Sequence, residues 1–365
     1  MGKKFITTSE VTYLMVNAIC IKMFFTFPRI MVINSGNASW LQGIYVSLIA
    51  LAIFFITMKI YTKCERKTVL GLAEKIGGKW LKIIVGLALA AILMTNLAFT
   101  MRAFPESVKT ILLPNTPMQF IMIFFSAAVA LGAFKGIEAI ARLHSIFLPI
   151  AGAILVIFLL LLLPYCDVNN LFPILGTGAY SIFGKGFHQI SIFADIILLN
   201  ILLPYCKSQS DAKKGGRKAV IVSGLIVFLI TFIYMLVVNY PASKNFVMPV
   251  YQLARTIRVG EFFQRAEAFF EFIWSIGMFL YASFYVFIIC VVFQKSFDLK
   301  YYRPLIIPVV LIMSEIAFIP SALVDEIEAM RIVSYLVYPV AYSLPIIMAL
   351  FYYMKQKRRK SHEKA

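Results

Sequence analysis

The sequence predicts an all-α integral membrane protein, a single transmembrane domain of about ten spans with both termini cytoplasmic. Three observations carry that expectation: an apolar composition, apolar runs of bilayer length recurring along the chain, and basic residues that alternate from loop to loop. Of 365 residues 61% are hydrophobic and 14% charged, and the mean hydropathy is +0.87. No soluble core needs that much apolar surface. A helix of roughly 18 to 25 apolar residues crosses a hydrocarbon core about 30 Å thick. Such runs fall near 11–33, 40–61, 80–101, 118–134, 145–163, 186–204, 219–238, 269–293, 304–319 and 332–354.

The first run is too long for the apolar core of a signal peptide and has no small-residue cleavage site, so it is expected to stay as a helix. If the N-terminus with Lys3 and Lys4 is cytoplasmic, the same side receives seven basic residues in 59–82, Lys135 and Arg142, and five in 207–218. It also receives Lys295, Lys300, Arg303 and six residues after Met354, so that 25 of the 35 Lys and Arg lie on one side. A bias of that size sets orientation by the positive-inside rule. The net charge of +18 is therefore read as topology plus attraction to membrane lipids, not as nucleic-acid binding.

Ten spans with both ends on one side make the first and sixth antiparallel. That is the geometry of two inverted five-helix repeats, here about 11–163 and 186–354, followed by a basic tail at 355–365. The five cysteines (Cys20, Cys64, Cys166, Cys206, Cys290) are scattered singly without zinc spacing, and the three histidines (His144, His188, His362) are equally dispersed. No metal, cofactor or catalytic constellation is expected, and the chain is not read as an enzyme.

Lys22 lies in the middle of the first run, six residues before Pro28, and Asp195 lies in the sixth, nine before Pro204. Ionisable groups at membrane depth are costly and normally face a cavity or a partner. Proline removes a backbone hydrogen bond and frees carbonyls, and paired interruptions in corresponding spans point to a midplane binding site. On the competing reading Pro28 and Pro204 end their helices near the surface. The opposite signs of Lys22 and Asp195 predict an ion pair across the first and sixth helices; the alternative is that Lys22 snorkels to an aqueous vestibule.

The third span offers Thr95 and Asn96, the latter a candidate for an interhelical hydrogen bond. The eighth carries Trp274, Ser275, Gly277, Tyr281 and Tyr285, and the i, i+4, i+8 spacing of the last three puts them on one face. That stripe lines a small polar cavity or, on the other reading, anchors at the interface. Residues 239–268 form the one sizeable outer loop. Within it, 251–265 has apolar residues at near-helical spacing opposite arginines, which predicts an amphipathic helix lying on the membrane, capping a vestibule or docking a partner. The tail after Met354 reads as a solvated anchor to anionic headgroups.

Several of these residues resemble a known family. Gly260-Glu261-Phe262-Phe263-Gln264-Arg265-Ala266-Glu267-Ala268-Phe269-Phe270, ending at Trp274, is similar to the B subunit of endospore germinant receptors, in the amino acid/polyamine/organocation permease superfamily. Phe193-Ala194-Asp195 through Pro204-Tyr205 resembles that family's Phe-Gly-Glu…Pro-Tyr pattern, and Pro28-Arg29 resembles the end of its first helix. The resemblance implies a leucine-transporter-like bundle in the inner membrane of the spore. It implies a small-nutrient sensor, often for an amino acid, that works with an A subunit and a C-subunit lipoprotein to trigger ion release. Carried over, the pocket lies between helices one, three, six and eight, at Ile21, Lys22, Met23, Asn96, Phe193, Ala194, Asp195, Tyr281 and Tyr285. Relatives carry a Gly-x-Gly break where this chain has Ile21-Lys22-Met23. Bulky residues resist close backbone approach, so helix one is expected to be less broken here. A proton-coupled amino-acid permease is the alternative function.

Overall fold

The computed structural model describes residues 5–61, 64, 68–258, 266–320 and 340–356. Seven helical stretches among them are long and apolar enough to cross a membrane. Near the N-terminus, Ile6 N–H donates to the Tyr205 carbonyl at 2.9 Å, joining the chain's start to the end of the sixth expected span. Helix α1 (Thr8–Cys20) then opens with a capping box in which Thr7 and Glu10 satisfy each other's backbone N–H groups.

The first expected span is not one helix. The α1 helix gives way to a 3₁₀ turn at Ile21–Phe24, Phe25 leaves the helical region (φ −106°, ψ −126°), and α2 (Phe27–Ser35) restarts the chain. The expectation of a less broken helix one is thus overturned. Pro28, in the first turn of α2, helps to make the interruption: proline is tolerated at the start of a helix but lacks the N–H that would continue the preceding turn. The counterpart span is interrupted as well. Residues Lys185–Ile197 wind with the tighter i→i+3 pattern before one short α-helix, α8 (Leu198–Leu202). Long 3₁₀ runs are uncommon and mark hinges or strain.

The remaining rods are α3 (Ser39–Tyr61), α4 (Val69–Ile111), α5 (Met118–Lys135), α6 (Ile137–Leu162), α9 (Gln209–Val237), α11 (Ala266–Ser296), α12 (Ile306–Ala317) and a helix at 340–356. Part of the last expected span, 332–339, lies outside the described residues. Packing interleaves these elements: α1 lies on α9, α6 and the 185–197 segment, α3 on α9, α4 on α11, and α5 on α11 and α12. The α11 helix is the central post, buried almost without interruption from Leu280 to Val292, whereas α6 turns much of its surface to the bilayer. An apolar helix buried all round belongs to a core, not to a rim.

The connections hold two corrections. Residues 163–184 form a second sizeable connection, with 3₁₀ turns and the short α7 (Ala179–Phe183), so 239–268 is not the one outer loop of any size. That loop holds a 3₁₀ turn at Ala242–Lys244 and α10 (Pro249–Thr256), which buries Val250, Leu253 and Ala254 and packs on α11, α9 and the 21–24 turn, and 259–265 lies outside the described residues. The tail is not a simple solvated anchor at its start, because Lys355 Nζ donates to the carbonyls of Lys75 and Ile76 at 3.0 and 2.8 Å.

Those carbonyls end the first part of α4, where the helix kinks at Gly77 (φ −131°) and Gly78 (φ +71°). Beyond the kink, buried Lys82 reaches back to Glu74 at 3.0 Å and across to Asp298 at 2.7 Å. A Cβ at Gly78 would meet nothing within 4 Å, so only its left-handed backbone resists substitution. At φ +71° and ψ −161° Gly78 occupies a region open essentially to glycine alone, so Gly78→Ala is expected to cost about 1–3 kcal/mol. Gly152→Ala, in equally open space within α6, is expected to gain about 0.5–1 kcal/mol. Thermal midpoints of the two variants in detergent, moving in opposite directions, check this.

Candidate functional site

The two interrupted segments meet at their charges. Lys22 Nζ lies 2.7 Å from Asp195 Oδ2, and the two side chains are 5% and 1% exposed. Lys22 thus reaches a carboxylate rather than a vestibule. Asp195 Oδ1 accepts from Asn96 Nδ2 on α4 at 2.8 Å and from the Tyr285 hydroxyl on α11. Asn96 Nδ2 also lies 2.8 Å from that hydroxyl, which closes the triangle. One turn towards the N-terminus of α11, Tyr281 packs on Tyr285 with ring centroids 4.5 Å apart, and its hydroxyl lies 3.4 Å from Thr100 Oγ1. A buried ion pair is sustained only when further hydrogen bonds satisfy its members, and here they come from two helices outside the pair.

The network leaves specific atoms unsatisfied. Among the described residues, Lys22 Nζ has no hydrogen-bond acceptor beyond its ion-pair partner, and Asn96 Oδ1, also buried, has no donor. Lys22 faces a cavity of about 30 Å³ whose walls include Ile21, Phe25, Thr26, Thr100 and Trp274. The Ile21 carbonyl, whose α-helical donor Phe25 N–H turns to Lys22 instead, accepts from Trp274 Nε1 at 3.1 Å. Beneath it, Asn17 Nδ2 donates to the Gly277 carbonyl at 3.0 Å and lies 3.1 Å from His144 Nε2, tying α1 to α11 and α6.

Of the nine residues singled out from the sequence, Lys22, Asn96, Asp195 and Tyr285 contact one another directly. Tyr281 joins through Tyr285 and Thr100, and Ile21 contributes its carbonyl and a cavity wall. Only Ile21 and Lys22 of the nine line the cavity beside Lys22; Asn96, Asp195, Tyr281 and Tyr285 form the buried network behind it, and Met23, Phe193 and Ala194 are buried outside both. Gly277, on the same helical face as the two tyrosines, serves α1 through its carbonyl, and a Cβ there would stand 3.0 Å from Ile21 Cδ1. Thr100, four residues after Asn96, was legible from helical spacing alone. So was Glu271, a charge inside the eighth span, which the same criterion that marked Lys22 would have found.

This architecture, two interrupted helices crossing at a buried polar site within paired repeats, is that of the leucine-transporter fold, whose members are membrane permeases and transporters and not enzymes. The nucleobase-cation-symport transporter Mhp1, closed with bromovinylhydantoin bound, superposes with a TM-score of 0.74 at 13% identity, covering 98% of this chain and 80% of that one. MhsT in complex with L-phenylalanine gives 0.65 at 16% identity, covering 96% and 89%. Residues 5–326 match the family described as spore germination protein, and the chain belongs to it. Among its relatives, spore germination protein A2 of Bacillus subtilis (strain 168) is 24% identical over 279 residues, 75% of this chain and 76% of the relative. Spore germination protein KB of the same organism is 25% identical over 258 residues, 69% of each.

Removing one member of the pair strands the other. Lys22→Met and Asp195→Asn are each expected to destabilise by about 3–5 kcal/mol, and the neutral double variant to recover most of the loss. Thermal unfolding of the four proteins in detergent closes the cycle; a double variant as unstable as the sum of the singles would remove the coupling.

Proposed function

We propose that this protein is the membrane subunit of a spore germinant receptor: it senses a small nutrient, an amino acid by preference, between its first, third, sixth and eighth helices. It passes the event to an A subunit and a C-subunit lipoprotein in the inner membrane of the spore, and so starts germination. Membership of the spore germination family supports the setting. The observation that carries the site is Lys22, a buried ammonium with unused donors, placed where two interrupted helices meet and beside a cavity. A ligand acceptor group reaching Lys22 competes with Asp195, and through Asp195 with Asn96 and Tyr285. The network thereby acquires two arrangements whose balance the ligand sets, which is all that sensing requires.

A proton-coupled amino-acid permease is the second reading, favoured by the transporter fold itself. Transport adds the demand that two access states be of similar energy. Uptake of labelled amino acids by the protein alone in liposomes would establish it.

The decisive experiment is germination of spores carrying Lys22→Ala against single amino acids and other small nutrients, with protein abundance followed by immunoblot. The response to one nutrient class is expected to be lost or altered while the protein is present. Intact responses to every nutrient would place the pocket away from the first helix.

A further inference from the structure

Glu271 lies near the start of α11 with its carboxylate only 4% exposed, and its Oε1 accepts from Ser107 Oγ of α4 at 2.8 Å. No basic side chain pairs with it among the described residues. Burying a carboxylate without a positive partner is expensive, and one hydroxyl is little compensation. The surroundings are specific: Phe24, Phe25, Tyr251, Phe270 and Trp274 line the small cavity against Glu271 and Ser107. Aromatic faces beside a carboxylate form the environment that recognises an organic cation, the rings through their quadrupole and the acid through its charge.

We propose that Glu271 and its aromatic wall form a subsite for the ammonium group of a small organic amine. It rests on the reading of the helix-one break as the ligand site and extends it by naming the ligand's charge. In the structure the cavity is about 10 Å³, the room of a single water. An amine would enter by displacing Tyr251 of α10, an eight-residue helix outside the transmembrane rods, and Met248, the residue that caps it. Phe25 and Trp274 also line the cavity beside Lys22, so the subsite and the central pair share one wall. Because Trp274 Nε1 holds the Ile21 carbonyl, an amine that shifts the indole acts directly on the break in helix one.

Glu271→Gln separates charge from structure, since the amide keeps the shape and can still accept from Ser107. The full-length protein in lipid nanodiscs, with Trp40→Phe and Trp80→Phe leaving Trp274 as the single tryptophan of three, is titrated with n-butylammonium and tetramethylammonium, and with butanol and butyrate as neutral and anionic counterparts. The cations are expected to give a saturable fluorescence change, and Glu271→Gln to weaken it about tenfold or more, as removal of a charged partner does. Equal response to butanol, an unchanged affinity in Glu271→Gln, or no saturable response to either cation overturns the proposal. That failure would leave nutrient responses in the spore assay intact, whereas failure of the receptor reading would leave amine binding by the purified protein unaffected.

Discussion

The contact between Lys22 and Asp195 is the constraint on which the arrangement of the bundle depends. Each residue belongs to a stretch of backbone that has given up α-helical hydrogen bonding, Lys22 in the 3₁₀ turn after α1 and Asp195 near the end of the 3₁₀ run before α8. A charge pair in hydrocarbon surroundings gains little net energy over an apolar pair of the same shape, yet half of it left alone is very costly. The pair therefore specifies geometry more than it adds stability: the two interrupted segments are held to one register. Asn96 and Tyr285 extend that constraint to α4 and α11, so four elements converge on one carboxylate.

Around this polar point the packing is apolar and graded. Because α11 is buried along most of its length, a displacement of one of its side chains is passed to neighbours instead of being absorbed by lipid. Trp274 is placed for such transmission. Its indole bonds the Ile21 carbonyl in place of the Phe25 N–H that a continuous α-helix would supply, and its ring borders the cavity beside Lys22, the one beside Glu271, and an apolar cavity of about 190 Å³ between α1, α6, α9 and α11. Where a helix has lost its own hydrogen bonds, a side chain that replaces one of them becomes part of the backbone's mechanics.

How much of this could be read from the sequence follows the physics of each feature. Charges in apolar spans are costly wherever they occur, so Lys22 and Asp195 stood out, and helical spacing then brought in Tyr281 and Tyr285. Asn96 was legible as a polar group needing a partner in another helix. The long-range choices were not legible. Nothing local says that Asp195 would take its second oxygen's donors from two different helices, or that Lys355 would reach back 280 residues to Lys75. The broken first helix was misjudged because glycine was treated as the requirement. Proline breaks a helix by withholding a donor, which bulky neighbours do not prevent. The kink at Gly77 and Gly78 was visible as a glycine pair but lay ahead of the apolar run that drew attention.

The loss of glycine from helix one has a further consequence. Without it the backbone cannot come close enough to a ligand for main-chain amides to recognise it, so recognition at this depth falls to side chains. Lys22 borders one small cavity lined by Phe25 and Trp274, and Glu271, bonded to Ser107, borders another lined by the same two side chains. On the proposed reading, a zwitterionic molecule that separated those side chains would meet Lys22 at one end and Glu271 at the other, recognition and opening of the helix-one break would be one event, and selectivity would follow from the spacing of the ligand's charges more than from the shape of its side chain.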